Sequence, residues 1–312
     1  MKQASGISIV VTTWNKRELA EKCISHLCER FAGHNGPWEI VMVDNGSTDG
    51  TAGLIAKKHT TVRIIALPGN IGFGPAANLG IQGSKYSLVL LMNDDMELAP
   101  GFIGPMARHF SDPAVFAVAP KMIFDDGKEY GRTVASMQWG HIMLTWVADA
   151  GPTNFLVGGA GFFRRKHLLA LGGFDSMYAP FYWEDADLCF RAWRRGWRLL
   201  YEPDSIVYHH QGATIKGKYH QRFINDIANR NRLLFHWKNI TDPVLLWQHF
   251  IFLLLRCVRR AVIFDFSESR ALILALSKLK RIPFRRRQEK TEICRTERQV
   301  FETINRCTEK RP

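Results

Sequence analysis

Asn93-Asp94-Asp95 places two adjacent carboxylates directly after Tyr86–Met92, the most hydrophobic run of the chain. Like charges at the mouth of a buried strand repel one another and lose hydration unless a cation compensates. A hard divalent ion, Mn2+ or Mg2+, bridging these acids and a diphosphate is the economical explanation. Two solvated loop acids are the plain alternative. Tyr208-His209-His210 closes a later apolar run, and one imidazole would complete an oxygen-rich shell that Mn2+ tolerates. By itself a histidine pair is more often structural. Trp183-Glu184-Asp185-Ala186-Asp187 opens a helical pattern. Acids in a first helical turn are favoured by the helix dipole, so capping competes here with general-base chemistry. Asp187 reads as a turn or capping partner.

Two further segments have the character of nucleotide-binding loops. Val41–Thr51 puts Asp44 at the end of a buried strand and then enters a polar turn. A carboxylate there can accept hydrogen bonds from a base or ribose, although Asp and Asn are also ordinary turn formers. Leu67–Gly80 carries four glycines together with Asn70 and Asn78 ahead of a helical turn. Glycines allow close backbone approach, and free amides at a helix start suit phosphate. The segment is neither a Walker loop nor a GxGxxG fingerprint, so a plain loop stays open as a reading.

The elements that must position these residues alternate over the first 125 positions. Ile7–Thr12, Trp38–Val43, Val62–Ala66 and Tyr86–Met92 read as buried strands. Lys16–Arg30, Thr51–Lys58 and the shorter Ala76–Gln82 read as helices. That alternation predicts an α/β fold with a mostly parallel sheet and right-handed crossovers. Ligands then bind at the strands' carboxyl ends, which points to Thr13–Asn15, Asp44–Asp49 and Asn93–Asp95. Residues 126–160 show no regular pattern. Glu184–Arg195 reads as a helix, Leu199–Tyr201 and Ile206–Tyr208 as two strands, and Phe223–Trp237 and Asp242–Phe264 as helices. A boundary falls near 240, with residues 241–312 a helical, basic extension.

The chain of 312 residues is 46% hydrophobic and can bury a substantial core. Its six cysteines form no CxxC pair, which suggests reduced thiols in a cytosolic compartment and no structural zinc. Ile7–Val11 is too short for a signal peptide, so no export is expected. Of the net charge of +13, nine arises in residues 256–312, where sixteen Lys and Arg meet seven Asp and Glu. The remainder is near neutral, so nucleic acid is not an expected partner. Pro243–Leu255, the longest uncharged run there, is short of the roughly 20 residues that span a bilayer. An interfacial helix backed by Arg285–Arg287 would suit an anionic cytoplasmic leaflet, and a helix packed on the catalytic unit is the alternative.

Taken together, Ser8–Asn15, Asp44–Thr51, Asn70–Asn78, Leu90–Asp95, Gly172–Arg191 and Val207–Gly212 resemble the family 2 glycosyltransferases, in particular the bacterial rhamnosyltransferase-like members. The resemblance spans about residues 6 to 240. It implies a GT-A fold, with a Rossmann-like nucleotide-sugar half at 1–125 and an acceptor half at 126–240. It implies that Thr12, Asn15 and Asp44 hold the nucleoside and that Asn70, Gly72 and Asn78 shape the donor pocket. Asp95 would be the principal metal ligand of a DxD-type motif, with Asp94 assisting and His209 as the third, His210 being the weaker choice. Asp185 would be the base, Glu184 its neighbour, Gly158–Gly161 would lie against the acceptor, and Arg230 and Asn231 near the diphosphate. The implied partners are a UDP-, GDP- or dTDP-sugar and a glycan or lipid-linked acceptor, and the implied product a cell-surface polysaccharide or glycolipid. The motif reads Asn-Asp-Asp rather than having acids at both ends. The absence of QxxRW speaks against processive synthases of the cellulose and hyaluronan kind. A nucleotidyltransferase would want a glycine-rich triphosphate loop, which Thr12–Arg17 lacks. A scaffold without activity would have no use for Asp95, Asp185 and His209 together.

Overall fold

The computed structural model describes residues 6–210, 219–290 and 292–309. Strands β1 (Ile7–Thr13), β2 (Trp38–Asp44), β3 (Arg63–Ala66) and β4 (Leu88–Asn93) alternate with helices α1 (Arg17–Phe31), α2 (Thr51–Lys58) and α3 (Phe73–Gly83). They pair in parallel in the order β3-β2-β1-β4. Ile9, Val10 and Val11 are all fully buried, as both faces of a helix-covered parallel strand must be. Because β2 lies on one side of β1 and β4 on the other, the sheet reverses direction at β1. Thr12 there stands level with Asn93. Such a switch point opens a crevice at the carboxyl ends.

The second half adds β5 (Met96–Leu98), α4 (Ile103–Arg108), β6 (Val115–Phe124), β7 (Glu129–Tyr130), β8 (Arg132–Gln138), β9 (His141–Val147), β10 (Gly151–Pro152), β11 (Phe162–Arg164), α5 (Arg165–Ala170), α6 (Glu184–Arg194) and β12 (Arg198–His209). β11 runs antiparallel between β4 and β6, β12 runs parallel to β6, and β5 joins the end of β12 antiparallel. The result is the GT-A arrangement, a mostly parallel central sheet with flanking helices and a helical C-terminal region.

Three local readings change. The two strands expected at 199–201 and 206–208 are one strand, β12, whose register with β6 breaks between Glu202 and Ile206, where Pro203 has no amide to give. Residues 126–160 contain the β8–β9 hairpin. Its signature is masked because outward positions Met143, Leu144 and Trp146 are themselves apolar. Helix α3 starts at Phe73, three residues earlier than expected.

Helices α7 (Gln221–Asn239), α8 (Pro243–Val262), α9 (Ser267–Leu276), α10 (Ile282–Lys290) and α11 (Glu297–Glu309) complete the chain. Ala271, Ala275, Val300, Phe301 and Ile304 belong to the same apolar cluster as Val10, Leu91 and Phe163. The basic run Arg285–Arg287 is largely spent inside this packing. Arg285 pairs with Asp175 at 3.2 Å, and Arg286 donates to the carbonyls of Trp237 and Ile240. Folding has given two of its three side chains intramolecular partners.

Candidate active site

The end of β4 delivers Asp94 and Asp95 to the switch point, and both are buried. Thr13, at the end of β1, donates its hydroxyl to Asp94 Oδ2 at 2.6 Å. Burial, with the charge of Asp95 adding to it, raises the Asp94 carboxyl to about 7 against the opposing pull of that hydrogen bond. The register of β5 with β12 does the rest. His209 stands opposite Met96 and the His210 amide donates to the Asp95 carbonyl at 2.9 Å. His209 Nε2 thereby lies 3.4 Å from Asp95 Oδ2. The fold thus makes neighbours of Asp95 and His209, which are distant in sequence. His210 faces elsewhere, with Nδ1 2.9 Å from Asp125 and Nε2 3.5 Å from Glu97. Gln211 and Gly212, the last residues of that motif, lie outside the described residues.

A glycine turn connects Asp185 to the end of β4. Gly158–Ala160 forms a single 3-10 turn. A Cβ on Gly159 would come within 2.4 Å of the Asn93 side chain, whereas one on Gly158 would touch the Asp185 side chain at 3.4 Å. Only glycine lets this turn fit between the carboxylate strand and helix α6. The Asp185 carboxylate accepts hydrogen bonds from the amides of Ala186, at 2.7 Å, and Gly158. Burial raises its pKa above the ordinary aspartate value. Glu184 is pushed well up by burial and then by the charge of Asp185. Among the described residues, Asp95 Oδ1, His209 Nδ1 and Glu184 Oε2 are buried polar atoms without a hydrogen-bond partner. Unpaired acceptors of this kind cost about 1–3 kcal/mol each and call for a ligand. An oxygen-rich set with one imidazole suits Mn2+ or Mg2+, so the residues present fit a divalent ion.

The donor-side residues surround the neighbouring strand ends. Thr12 and Asp44 are buried, and Asp44 Oδ1 accepts from the Ser47 amide at 2.9 Å. Asn15, with φ of 50°, accepts from the Thr48 amide at 2.8 Å and so ties the ends of β1 and β2 together. Asn70 accepts from the Gly72 amide at 2.9 Å. Asn45, which the sequence reading did not single out, holds this loop by accepting from Ile71 at 3.0 Å and donating to Asn70 and the Gly72 carbonyl at 3.3 Å. Its position right after Asp44 was the available signal.

Asn78 braces a turn. Its amide donates to the Phe174 carbonyl and accepts from the Phe174 amide, both at 2.8 Å, so both polar atoms are committed to bracing the Gly172–Phe174 turn. Arg230 and Asn231 likewise grip the loop that carries the base. Asn231 Nδ2 donates to the carbonyls of Tyr178, Phe181 and Tyr182 at 2.6–2.9 Å, and Arg230 to that of Ala179 at 2.7 Å. Burial lowers the Arg230 guanidinium to about 10. The loop ends in two left-handed residues, Tyr182 at φ 70° and Trp183 at φ 72°. Such conformations cost roughly 1–3 kcal/mol each and persist only where surroundings enforce them.

Asp187 is no helix cap. It is fully buried and accepts from Tyr178 (2.9 Å), Arg191 (2.7 Å), Lys238 (2.8 Å) and Asn239 (2.8 Å). The charges of Lys238 and Arg191 overcome burial and hold its pKa well below the ordinary value. Elsewhere, His141, His236 and His249 bring ring nitrogens within 4.8 Å of one another, a grouping no sequence spacing announced. They are not built for a metal. His236 Nδ1 and His249 Nδ1 donate to the carbonyls of Arg232 and Gly140, which leaves each Nε2 as an acceptor, and these are taken by Ile142 N–H and Trp237 Nε1–H.

Known proteins identify the family and the fold. The model of glycosyl transferase family 2 matches residues 8–172, more than half of the chain. The chain belongs to that family. A curated relative, an N-acetylglucosaminyl-diphospho-decaprenol L-rhamnosyltransferase from Mycobacterium tuberculosis, is 29% identical over 207 residues, 56% of this chain and 67% of the relative. Among solved structures, GalNAc-T7 with UDP, GalNAc and Mn2+ superposes with a TM-score of 0.60 at 17% identity, over 78% of this chain and 49% of that one. The mannosyltransferase PcManGT from Pyrobaculum calidifontis, in complex with GDP-Man and Mn2+, gives 0.54 at 16%, over 89% and 88%. This family 2 member is therefore a glycosyltransferase in kind as well as in fold.

Proposed function

We propose that this glycosyltransferase inverts the anomeric centre of a nucleotide sugar, with a UDP-, GDP- or dTDP-sugar as donor and a glycan or lipid-linked glycan as acceptor. Rhamnose is the first sugar to test, given the rhamnosyltransferase among the relatives. We place the reaction in cell-surface polysaccharide or glycolipid synthesis, on the cytoplasmic side and peripheral to the membrane. The observation that supports the reading is the approach of His209 Nε2 to Asp95 Oδ2 at 3.4 Å, with an unpaired buried polar atom on each residue.

Asp185, whose basicity is raised by burial and whose carboxylate accepts from two backbone amides, takes the proton from the acceptor hydroxyl as its oxygen attacks the anomeric carbon. One base suffices for a single displacement, so the product has inverted configuration. Asp95 and His209, with Asp94 assisting, would hold Mn2+ or Mg2+, which offsets the charge of the departing nucleoside diphosphate. Asp44 and Thr12 receive the nucleoside, and the loop built by Asn70, Gly72 and Asn45 closes around the donor. The helix dipole and the Gly158 amide favour the ionised base over its protonated form.

A donor-hydrolysis and transfer assay across UDP, GDP and dTDP sugars tests the reading. Turnover with one donor class should require Mn2+ or Mg2+ and vanish with EDTA. In Asp95→Ala, metal affinity and donor affinity should fall together. Full activity of that variant in EDTA would end the metal assignment, and no turnover with any donor would end the enzymatic reading.

A further inference from the structure

A row of aromatic rings leads outward from His209. Its ring lies 4.9 Å from that of Phe124, Phe124 lies 4.6 Å from Tyr130, and Tyr130 lies 4.5 Å from Trp146, centroid to centroid. Strand pairing sets the row. His209 is opposite Phe124 across β12 and β6, and Tyr130 is opposite Met122, two positions before Phe124. Residues directly opposite, or two apart, share a face, so these three rings stand on one side of the sheet. Trp146 comes from β9 and closes the row, its indole nearly parallel to the Tyr130 ring at 14°. Exposure grows outward, from 19% for the His209 side chain to 42% for Trp146. With one indole face on Tyr130, that exposure falls to the other face and the edge.

The outer end is fixed as firmly as the inner one. Thr133 stands opposite Trp146 in the β8–β9 hairpin. Its hydroxyl accepts from the Phe155 amide and its carbonyl from the Asn154 amide, both at 2.8 Å. Asn154 Oδ1 in turn accepts from the Ala135 amide at 2.6 Å. These bonds tie the hairpin to the segment that enters the Gly158 turn, whose amide binds Asp185. The indole is thus braced between the proposed metal ligand and the turn that holds the proposed base. It also lies away from the nucleoside residues. In the sheet order β12-β6-β11-β4-β1-β2, the row belongs to the β6–β12 side of β4 and Asp44 to the β2 side.

A rigid, half-exposed indole on the acceptor side matches the apolar face of a pyranose ring. The C–H bonds of that face carry partial positive charge and meet the negative face of the indole, while the hydroxyls point sideways to polar groups. His210 and Asp125, paired at 2.9 Å, directly follow His209 and Phe124 and supply such groups. The lysines of the β6–β7 turn region are matched by acids, Lys121 by Glu129 and Lys128 by Asp126, which favours a neutral sugar over a phosphate. We propose that Trp146 is the platform for an acceptor sugar at least one unit removed from the hydroxyl that reacts. The acceptor is then a saccharide chain rather than a lone sugar or a lipid alcohol. This inference rests on the glycosyltransferase reading, but its test needs no turnover.

The test is ligand-observed NMR on the full chain without donor. The probes are the methyl glycosides of glucose and N-acetylglucosamine, cellobiose and diacetylchitobiose, with UDP and GDP measured alongside. Donor hydrolysis and thermal unfolding are followed on the same samples. A disaccharide should bind more tightly than its monosaccharide. Trp146→Ala should remove that advantage, weakening the disaccharide by about tenfold, and Trp146→Tyr should stay within about twofold of the wild type. Nucleotide binding, hydrolysis and melting temperature should not change in either variant. Absence of saccharide binding in the wild type overturns the proposal, as does undiminished binding in Trp146→Ala. Loss of hydrolysis and melting temperature together with saccharide binding would make the ring mere packing, and loss of nucleotide affinity alone would make it a base platform; either result overturns it. Disaccharide binding that depends on Trp146, with no donor hydrolysed, would keep the platform and sink the enzymatic reading. Hydrolysis without saccharide binding would do the opposite.

Discussion

Helix α6 begins with acids of opposite fates. Glu184 and Asp185 have raised pKa values, and Glu184 keeps a buried oxygen unpaired. One turn further in, Asp187 meets four donors, two of them cations, and its pKa is depressed. The same division separates Asp94 and Asp95 from the Asp175–Lys238 pair, closed at 2.8 Å. A fold that can satisfy a buried acid this completely has left a second set bare. On the proposed function that second set is where a divalent cation would sit, since it would supply the missing positive charge.

The contrast can be broken by substitution. Asp185→Asn should lower turnover by about a thousandfold with donor affinity and melting temperature nearly unchanged, as for loss of a general base. Donor binding lost with that change would count against its role. Asp187→Asn should do the reverse, costing about 3–5 kcal/mol of stability because Lys238 and Arg191 lose their shared counter-ion. A variant as stable as the parent would show that the network is not the scaffold it resembles. Asn231→Ala, which frees the Tyr178–Trp183 loop, should lower kcat by ~10- to 100-fold through misplacement of Asp185. An unchanged kcat with a raised donor KM would move Asn231 to the donor side.

The smallest effect is a pH dependence of stability. His249 is lowered to about 4 and His236 well below 6.5, by burial first. Groups with depressed imidazole values leave stability full above 6.5 and remove it as pH falls toward about 4, since the unfolded chain takes up protons that the native state refuses. Asp94, raised to about 7, acts with the opposite sign. In metal-free protein its contribution is full at low pH and is lost as pH rises through 7. Asp94→Asn should therefore raise the metal-free melting temperature at pH 8 by a few degrees. No change on thermal denaturation would mean that Asp94 is already compensated.

How much of this was legible depends on range. The parallel half could be read because each strand is a short apolar run between turn signals, and strand ends then locate Asp44, Asp94 and Asp95 without further knowledge. The approach of His209 to Asp95 followed only as part of a familiar order of motifs, since nothing local reveals that β5 turns back onto β12. Asn231 and Lys238 stayed invisible as struts. Their partners at Tyr178–Tyr182 and Asp187 lie about fifty positions away, and a helical Asn or Lys looks like any solvated residue. Arg285–Arg287 is opaque for the matching reason: a run of charge cannot disclose that Arg285 meets Asp175 and Arg286 two backbone carbonyls elsewhere.

The register break in β12 has a consequence for how the chain tolerates change. Below it the strand lies between β6 and the short β10, which meets it at Leu200 and Tyr201, and above it Val207–His209 is held between β6 and β5. A residue added or removed at Pro203–Ser205 can be absorbed in the slack, and the imidazole keeps its aim. The same change between Ile206 and His209 would invert the parity of the strand and swing the ring to the opposite side of the sheet. The kink thus works as an expansion joint that protects a fixed address at the end of the strand.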